Sequence, residues 1–245
     1  NKRFGAVQAL TDIHLSVGRG EVVGLVGDNG AGKSTLIKVI AGVHAADEGE
    51  LIMNGTSQKF SSPKDAQRAG VATVFQDLSL CENLDVVANL FLGHEKTRGG
   101  VLDEVAMEAK SWELLRSLSA KIPSVRVPIA ALSGGQRQTV AIARSLLGEP
   151  SLVMLDEPTA ALGVAQTAEV LNLIERLKER DLGVLLVSHN MADVQAVADR
   201  VHVLRLGKDV GDFPGDERTD VLVAAITGAS DNVVTKRAAR RGERR

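Results

Sequence analysis

The stretch Gly27-Asp28-Asn29-Gly30-Ala31-Gly32-Lys33-Ser34 constrains this chain more than any other. It satisfies the pattern G-x-x-x-x-G-K-[ST] at every fixed position. Ahead of it, Val22-Val23-Gly24-Leu25-Val26 is a short continuous apolar run, which predicts a buried strand. After it, Thr35-Leu36-Ile37-Lys38-Val39-Ile40 predicts a helix that stops near Gly42. A strand that feeds a glycine loop, which in turn opens a helix, aims a row of N–H groups and a helix N-terminus at one point; that suits a polyphosphate. Lys33 adds a cation over the outer phosphates, and Ser34 a hydroxyl for a magnesium ion. A glycine-rich turn with a chance lysine needs neither flank, so the flanks favour a nucleoside triphosphate site.

Bulk properties exclude several classes. The length of 245 residues suits one large domain or two small ones. A net charge of −2 gives no chain-wide basic field, and with one Trp, five Phe and no Tyr there is little to stack on bases, so nucleic acid is not an expected partner. Cys81 is the only cysteine, which rules out an intrachain disulfide and points to a reducing compartment. No apolar run approaches bilayer length, and no signal peptide opens the chain. The first residue is Asn1, not Met, so the native N-terminus is expected to lie outside this numbering. Lys236, Arg237, Arg240, Arg241, Arg244 and Arg245 crowd the last ten residues against Glu243 alone. Residues 228–245 are therefore expected to form a basic, disordered tail, with a weak contact to an anionic membrane as the sharper alternative.

The order of patterns predicts an α/β chain with a mainly parallel sheet. Ile13, Leu15 and Val17 alternate with polar residues and predict a half-buried strand. Leu51-Ile52-Met53 ends at the hairpin dipeptide Asn54-Gly55. Together these pieces predict an antiparallel β layer beside the nucleotide. Residues 71–75 read as a further strand ending at Gln76. Residues 77–147 are mostly helical in pattern, with a helix over 101–118, and predict a helical insertion. Strands then return at 152–155, 184–187, 201–204 and 209–213, with Val170, Leu171, Ile174 and Leu177 giving the intervening helix its stripe.

Two further motifs carry chemistry. Leu152-Val153-Met154-Leu155 brings Asp156 and Glu157 to the carboxyl end of a buried strand, where open α/β sheets bind ligands. Asp156 there is placed to hold magnesium opposite Ser34, and Glu157 to polarise an attacking water. The plainer reading is an acidic pair ahead of a helix, since Pro158 and Thr159 follow. In Leu132-Ser133-Gly134-Gly135-Gln136, Ser133 and Gln136 fit a capping box, and the glycines let helix N–H groups approach an anion closely. The residues alone leave open whether that helix start meets its own glycine loop or another molecule's.

In this order the glycine loop, Gln76, the Ser133 turn, Leu155-Asp156-Glu157-Pro158-Thr159 and His189 resemble the Walker A loop, Q-loop, signature motif, Walker B strand and H-loop of ABC transporter ATPase domains. The resemblance spans residues 4 to about 227. Within the family the chain looks most like the ATPase subunits of ribose, xylose and fructose importers. Phe75-Gln76-Asp77-Leu78-Ser79-Leu80, Phe91-Leu92-Gly93, the run 136–144, Ala160-Ala161-Leu162-Gly163-Val164 and Ser188-His189-Asn190 carry that finer likeness.

The resemblance implies an ABC ATPase domain over 1–227, with a P-loop core, an antiparallel β subdomain and a helical subdomain inserted at about 77–147. It implies that Phe4 stacks on adenine. Gly27, Asp28, Asn29, Gly30, Ala31, Gly32, Lys33, Ser34 and Thr35 hold the phosphates of ATP. Ser34, Gln76 and Asp156 organise Mg2+ and the lytic water, Glu157 is the general base, and His189 meets the γ-phosphate. Leu132, Ser133, Gly134, Gly135 and Gln136 contact ATP bound to a second copy in a head-to-tail homodimer. The implied partners are transmembrane permease subunits, received after the Q-loop at 77–95, and indirectly a sugar-binding protein. The implied place is the cytoplasmic face of the membrane. Soluble ABC ATPases of translation or DNA repair, and low-turnover regulatory modules, are the alternatives; the first class usually carries tandem domains or long coiled coils, and Lys33, Asp156 and Glu157 argue against the second.

Three departures from the family pattern stand out. Phe4 replaces the commoner Tyr, and Gly163 occupies the usual place of the D-loop aspartate. Only three residues precede Phe4, where the family's first strand belongs. His14, His44, His94 and His202 lack metal-like spacing and receive no role. Trp112 reads as packing, and Cys81 as a small apolar residue.

Overall fold

The computed structural model describes residues 1–229. The chain opens on an antiparallel ribbon of β1 (Lys2–Phe4) and β2 (Val7–Leu10), so Phe4 lies inside a strand. β3 (Val22–Val26) then enters the core and runs through the glycine loop into α1 (Lys33–Ile40), as its flanks predict. A second ribbon, β4 (Leu51–Met53) and β5 (Thr56–Gln58), closes at Asn54-Gly55, both at positive φ. α2 (Pro63–Arg68) leads into β6 (Val71–Val74).

The predicted antiparallel layer is not one sheet. The two ribbons are separate two-stranded sheets, and residues 11–20 form no strand. Their alternation is real, because Ile13, Leu15 and Val17 pack against the core beside α1. What is missing is a ladder partner. The backbone is held instead at points: His14 N–H donates to Asp209 (2.6 Å), and the Ser16 carbonyl accepts from Arg200 (2.7 Å).

The segment after β6 consists of helices and loops with one exception. It holds α3 (Val86–Phe91), a hairpin of β7 (Thr97–Arg98) and β8 (Val101–Leu102), α4 (Glu104–Ser117) and α5 (Gly134–Ser145). α4 starts later than predicted because Val101 and Leu102 pair across Gly99-Gly100, and Asp103 then caps the helix by accepting from Ala106 N–H (3.0 Å). Asn89, fully buried on α3, holds the preceding loop: its carbonyl accepts from Cys81 N–H (2.7 Å), and its amide donates to the Cys81, Leu84 and Asp85 carbonyls.

The chain then alternates through β9 (Leu152–Asp156), α6 (Val164–Glu179), β10 (Gly183–Val187) and α7 (Met191–Val197). It ends with β11 (Arg200–Arg205), β12 (Lys208–Pro214) and α8 (Thr219–Thr227). The central sheet has the order β12-β11-β3-β10-β9-β6, parallel except for the edge strand β12. Both its faces are covered, which explains the continuous apolar runs. Val22, Val26, Val153, Leu155, Val184 and Leu186 join α5, α6 and α7 in one core. Val23, Leu25, Met154, Leu185 and Val187 join α1 in the other. The basic tail falls, apart from its first two residues, outside the described residues.

Candidate active site

Four adjacent parallel strands end in the predicted residues, and they end on one side. The glycine loop follows β3, Ser188-His189 follows β10, Asp156-Glu157 closes β9, and Gln76 stands beyond β6. Register aligns them: Leu25 lies opposite Val187, Val187 opposite Asp156, and Leu155 opposite Val74. Such a row of carboxyl ends is the crevice where open α/β sheets bind ligands.

The loop's glycines are dictated by its neighbours. At Gly27 a Cβ would collide with the Leu204 carbonyl, and at Gly32, where φ is 103°, it would come within 2.7 Å of a Leu10 methyl. Gly32 caps α1 with no side chain, so the first-turn N–H groups remain free for a ligand. Lys33 is folded over the loop, its ammonium donating to the carbonyls of Gly27 (2.6 Å) and Asp28 (3.2 Å). The cleft above, about 410 Å³, reaches from Val7, Gln8 and Ala9 of β2 across residues 28–35 to Leu206-Gly207. Ser34 is exposed at its floor and Thr35 half-buried. Phe4 sits apart from this lining, 43% exposed, with its ring edge-on to His44 (5.2 Å between centroids).

Asp156 is half-buried. Burial, and then the neighbouring Glu157 carboxylate, hold its carboxyl above the ordinary carboxylate range, against the pull of Lys33 and Lys38. Such a group gains from a cation placed before it. Glu157 adopts a left-handed φ of 51°, unusual for a side chain of its size, and its N–H donates to the Val187 carbonyl (2.9 Å). That turn directs its carboxylate across to β10, where Oε2 lies 2.8 Å from His189 Nδ1. Glu157 is largely shielded while His189 is open to solvent. Gln76 is exposed.

The Ser133 turn is built as predicted and located elsewhere. Ser133 Oγ accepts from Gln136 N–H (3.2 Å), and Gln136 Oε1 accepts from Ser133 N–H (3.0 Å), which completes a capping box on α5. Gln136 Nε2 also donates to the Lys121 carbonyl (2.8 Å). The two glycines have a packing reason that sequence reasoning missed: a Cβ at Gly134 would come within 2.8 Å of a Leu162 methyl, and one at Gly135 within 3.2 Å of Gln166. Leu132 is buried and Ser133 exposed. Among the described residues no hydrogen bond or ion pair joins this turn to the glycine loop of its own chain. Gly163 caps α6 without a side-chain bond.

Two features escaped the sequence. His202, assigned no role there, is buried with Nδ1 2.9 Å from Asp212 and Nε2 3.0 Å from Asp209. Just beyond it the Leu206-Gly207 turn braces the glycine loop: Gly207 N–H donates to the Ala31 carbonyl (3.0 Å), and its carbonyl accepts from Thr11 N–H (2.7 Å). A lone histidine inside an apolar strand was the available signal. The second feature is a buried bond between Thr159 and Asp193. A separate groove of about 610 Å³ runs between β6 and the helical segment, past Phe75, Leu78, Leu92, Lys96 and Arg144.

The model of the ABC transporter family matches residues 10–160. The chain is similar to the xylose/arabinose import ATP-binding protein XylG of Sulfolobus acidocaldarius, 46% identical over 85% of this chain and 83% of that one. It is likewise similar to the fructose import ATP-binding protein FrcA of Rhizobium meliloti, at 41% identity over 94% and 92%. The ADP conformation of MJ1267, an ATP-binding cassette of an ABC transporter, superposes with a TM-score of 0.79 at 28% identity, covering 91% of each chain.

Proposed function

The chain belongs to the ABC transporter family, and we propose that it is the ATP-hydrolysing subunit of a monosaccharide importer. The observation that carries this reading is the meeting of an uncapped glycine loop with the Glu157–His189 pair at the ends of neighbouring parallel strands. The ATPase unit spans 1–227, with the helical segment at about 77–147 as its insertion.

In this reading the first-turn amides of α1 hold the polyphosphate, and Lys33 exchanges the Gly27 and Asp28 carbonyls for β- and γ-phosphate oxygens. Ser34, Gln76 and Asp156 offer hard oxygen donors of the kind Mg2+ takes, and the raised Asp156 carboxyl fits a cation there. Mg2+, when bound, neutralises charge on the transferring phosphate. Glu157 accepts the proton of the attacking water, and His189 turns from Glu157 toward the γ-phosphate. Phe4 stacks on the adenine. Phosphoryl transfer asks mainly for such positioning and charge neutralisation.

The exposed Ser133 turn supports a second copy as partner. It presents a helix start with no hydrogen bond or ion pair to its own loop among the described residues, so ATP would be clamped between one chain's loop and the other's Leu132-Ser133-Gly134-Gly135-Gln136. Hydrolysis then releases the clamp. No helix among the described residues is long and apolar enough to cross a membrane, which suits a peripheral subunit at the cytoplasmic face of permease partners. The groove beside β6 is the surface offered to them. The sugar is selected by those permeases and a sugar-binding protein, and the sugar reading rests on the similar import proteins.

The test is a pull-down from native membranes with identification of bound subunits, joined to ATPase assays. Recovery of sugar permease subunits with Glu157-dependent ATP hydrolysis is expected. Recovery of ribosomes or of peptide permeases instead would overturn the assignment.

A further inference from the structure

Asp193 is a buried carboxylate that the chemistry above does not use. It lies in the first turn of α7, 8% exposed, and accepts a hydrogen bond from Thr159 Oγ1 at 2.6 Å; Thr159 is 9% exposed. The two residues belong to the segments that carry the reacting pair. Thr159 follows Glu157 by two positions, in a turn closed by Ala160 N–H to the Glu157 carbonyl (3.1 Å) and Leu162 N–H to the Thr159 carbonyl (3.2 Å). Asp193 follows His189 by four, in a segment pinned by Asn190 N–H to Ser188 Oγ (3.1 Å) and Ala192 N–H to Asn190 Oδ1 (3.1 Å).

Besides the backbone bond from Glu157 N–H to the Val187 carbonyl (2.9 Å), the β9 and β10 loops are thus joined by two side-chain rungs. The outer rung, Glu157 to His189, is partly open to solvent. The inner rung, Thr159 to Asp193, is buried. When His189 leaves Glu157 to meet a phosphate, the outer rung is spent. The inner rung is then the side-chain bond left to hold the two loops at a fixed spacing. A buried carboxylate deprived of its hydroxyl partner must seek another, and the loop carrying it must shift.

We infer that Thr159 and Asp193 are positioning residues, a buried latch that fixes His189 relative to Glu157 while the outer contact is exchanged for phosphate. The inference rests on the proposed roles of His189 and Glu157.

The experiment compares full-length Thr159→Val, Thr159→Ser, His189→Ala and Thr159→Val/His189→Ala by steady-state ATPase kinetics. His189's imidazole resonance, assigned by its loss in His189→Ala, is followed by NMR. Thr159→Val is expected to lower kcat about tenfold with KM for ATP within twofold, to shift the His189 resonance, and to be rescued on both counts by Thr159→Ser. In the His189→Ala background it is expected to cost less than a further twofold. Equal losses in both backgrounds, an unmoved resonance, or no rescue by serine would overturn the latch. Should Thr159→Val not fold, Thr159→Ala, which also removes the hydroxyl, is read in the same way. Full ATPase activity in His189→Ala would instead overturn the functional reading; the resonance still reports the latch.

Discussion

Glu157 and His189 meet at 2.8 Å across the ends of two neighbouring parallel strands, one residue largely shielded and the other exposed. In the proposed mechanism Glu157 is the base and His189 the group that swings to the phosphate. Glu157→Gln keeps the shape and removes the base. It is expected to lower kcat by about 10²–10³-fold while leaving ATP affinity within threefold. Single-turnover hydrolysis with a parallel binding titration checks this; hydrolysis at the parent rate would remove Glu157 from the mechanism.

Gly134 tests whether the Ser133 turn is seated by packing. Gly134→Ala would drive a methyl within 2.8 Å of Leu162. A stability loss of about 1–3 kcal/mol in urea unfolding is expected. Leu162→Ala should recover most of it in the double variant, since the clash needs both partners. Additive losses would show that the glycine serves something else.

Asp156 carries a pH signature. Its native pKa is raised, first by burial and then by Glu157, above the 3.8 of an ordinary aspartate. Between those two values the native state holds the extra proton, so stability falls as pH rises through the window and the penalty is complete above it. Asp156→Asn removes the penalty. It should raise Tm of the nucleotide-free protein at pH 7, by roughly 2–4 °C per kcal/mol recovered, and lose that advantage in acid. An unchanged or lower Tm at pH 7 would contradict the account of Asp156.

Asp212 works in the opposite sense. Burial pushes Asp212 up, but hydrogen bonds from His202 and then Arg200 bring its pKa below the ordinary value. A depressed carboxylate contributes stability above its unfolded pKa and loses it as pH falls through the native one. His202→Leu should cost about 1–3 kcal/mol at neutral pH, with a deficit that narrows in acid. It should also weaken ATP binding, because the Leu206-Gly207 turn beyond it braces the glycine loop at Ala31. Melting curves across pH, with nucleotide titration, check both.

Much of the geometry of the candidate site was legible because it is local. A glycine loop, its strand and its helix sit within 20 residues, and Asp156-Glu157 follow a run whose burial is plain from its composition. What stayed hidden depends on partners distant in sequence. Ile13, Leu15 and Val17 alternate like a strand, yet strand identity needs a ladder neighbour, which no periodicity supplies. The β7–β8 hairpin was absorbed into a helical pattern because its strands are two residues each. Gly134 reads as an anion contact in the sequence, and its approach to Leu162 adds a packing reason that the sequence does not show. His202 and Asp193 are polar residues whose burial depends on the whole fold.

The most direct test of the account is calorimetric titration of ATP into the parent and Lys33→Ala proteins. Lys33 now spends its ammonium on the Gly27 and Asp28 carbonyls and is predicted to trade them for phosphate. Affinity about 100-fold weaker in the variant, or roughly 2.8 kcal/mol, is the predicted result. Undiminished affinity would contradict a triphosphate held in the loop between β3 and α1.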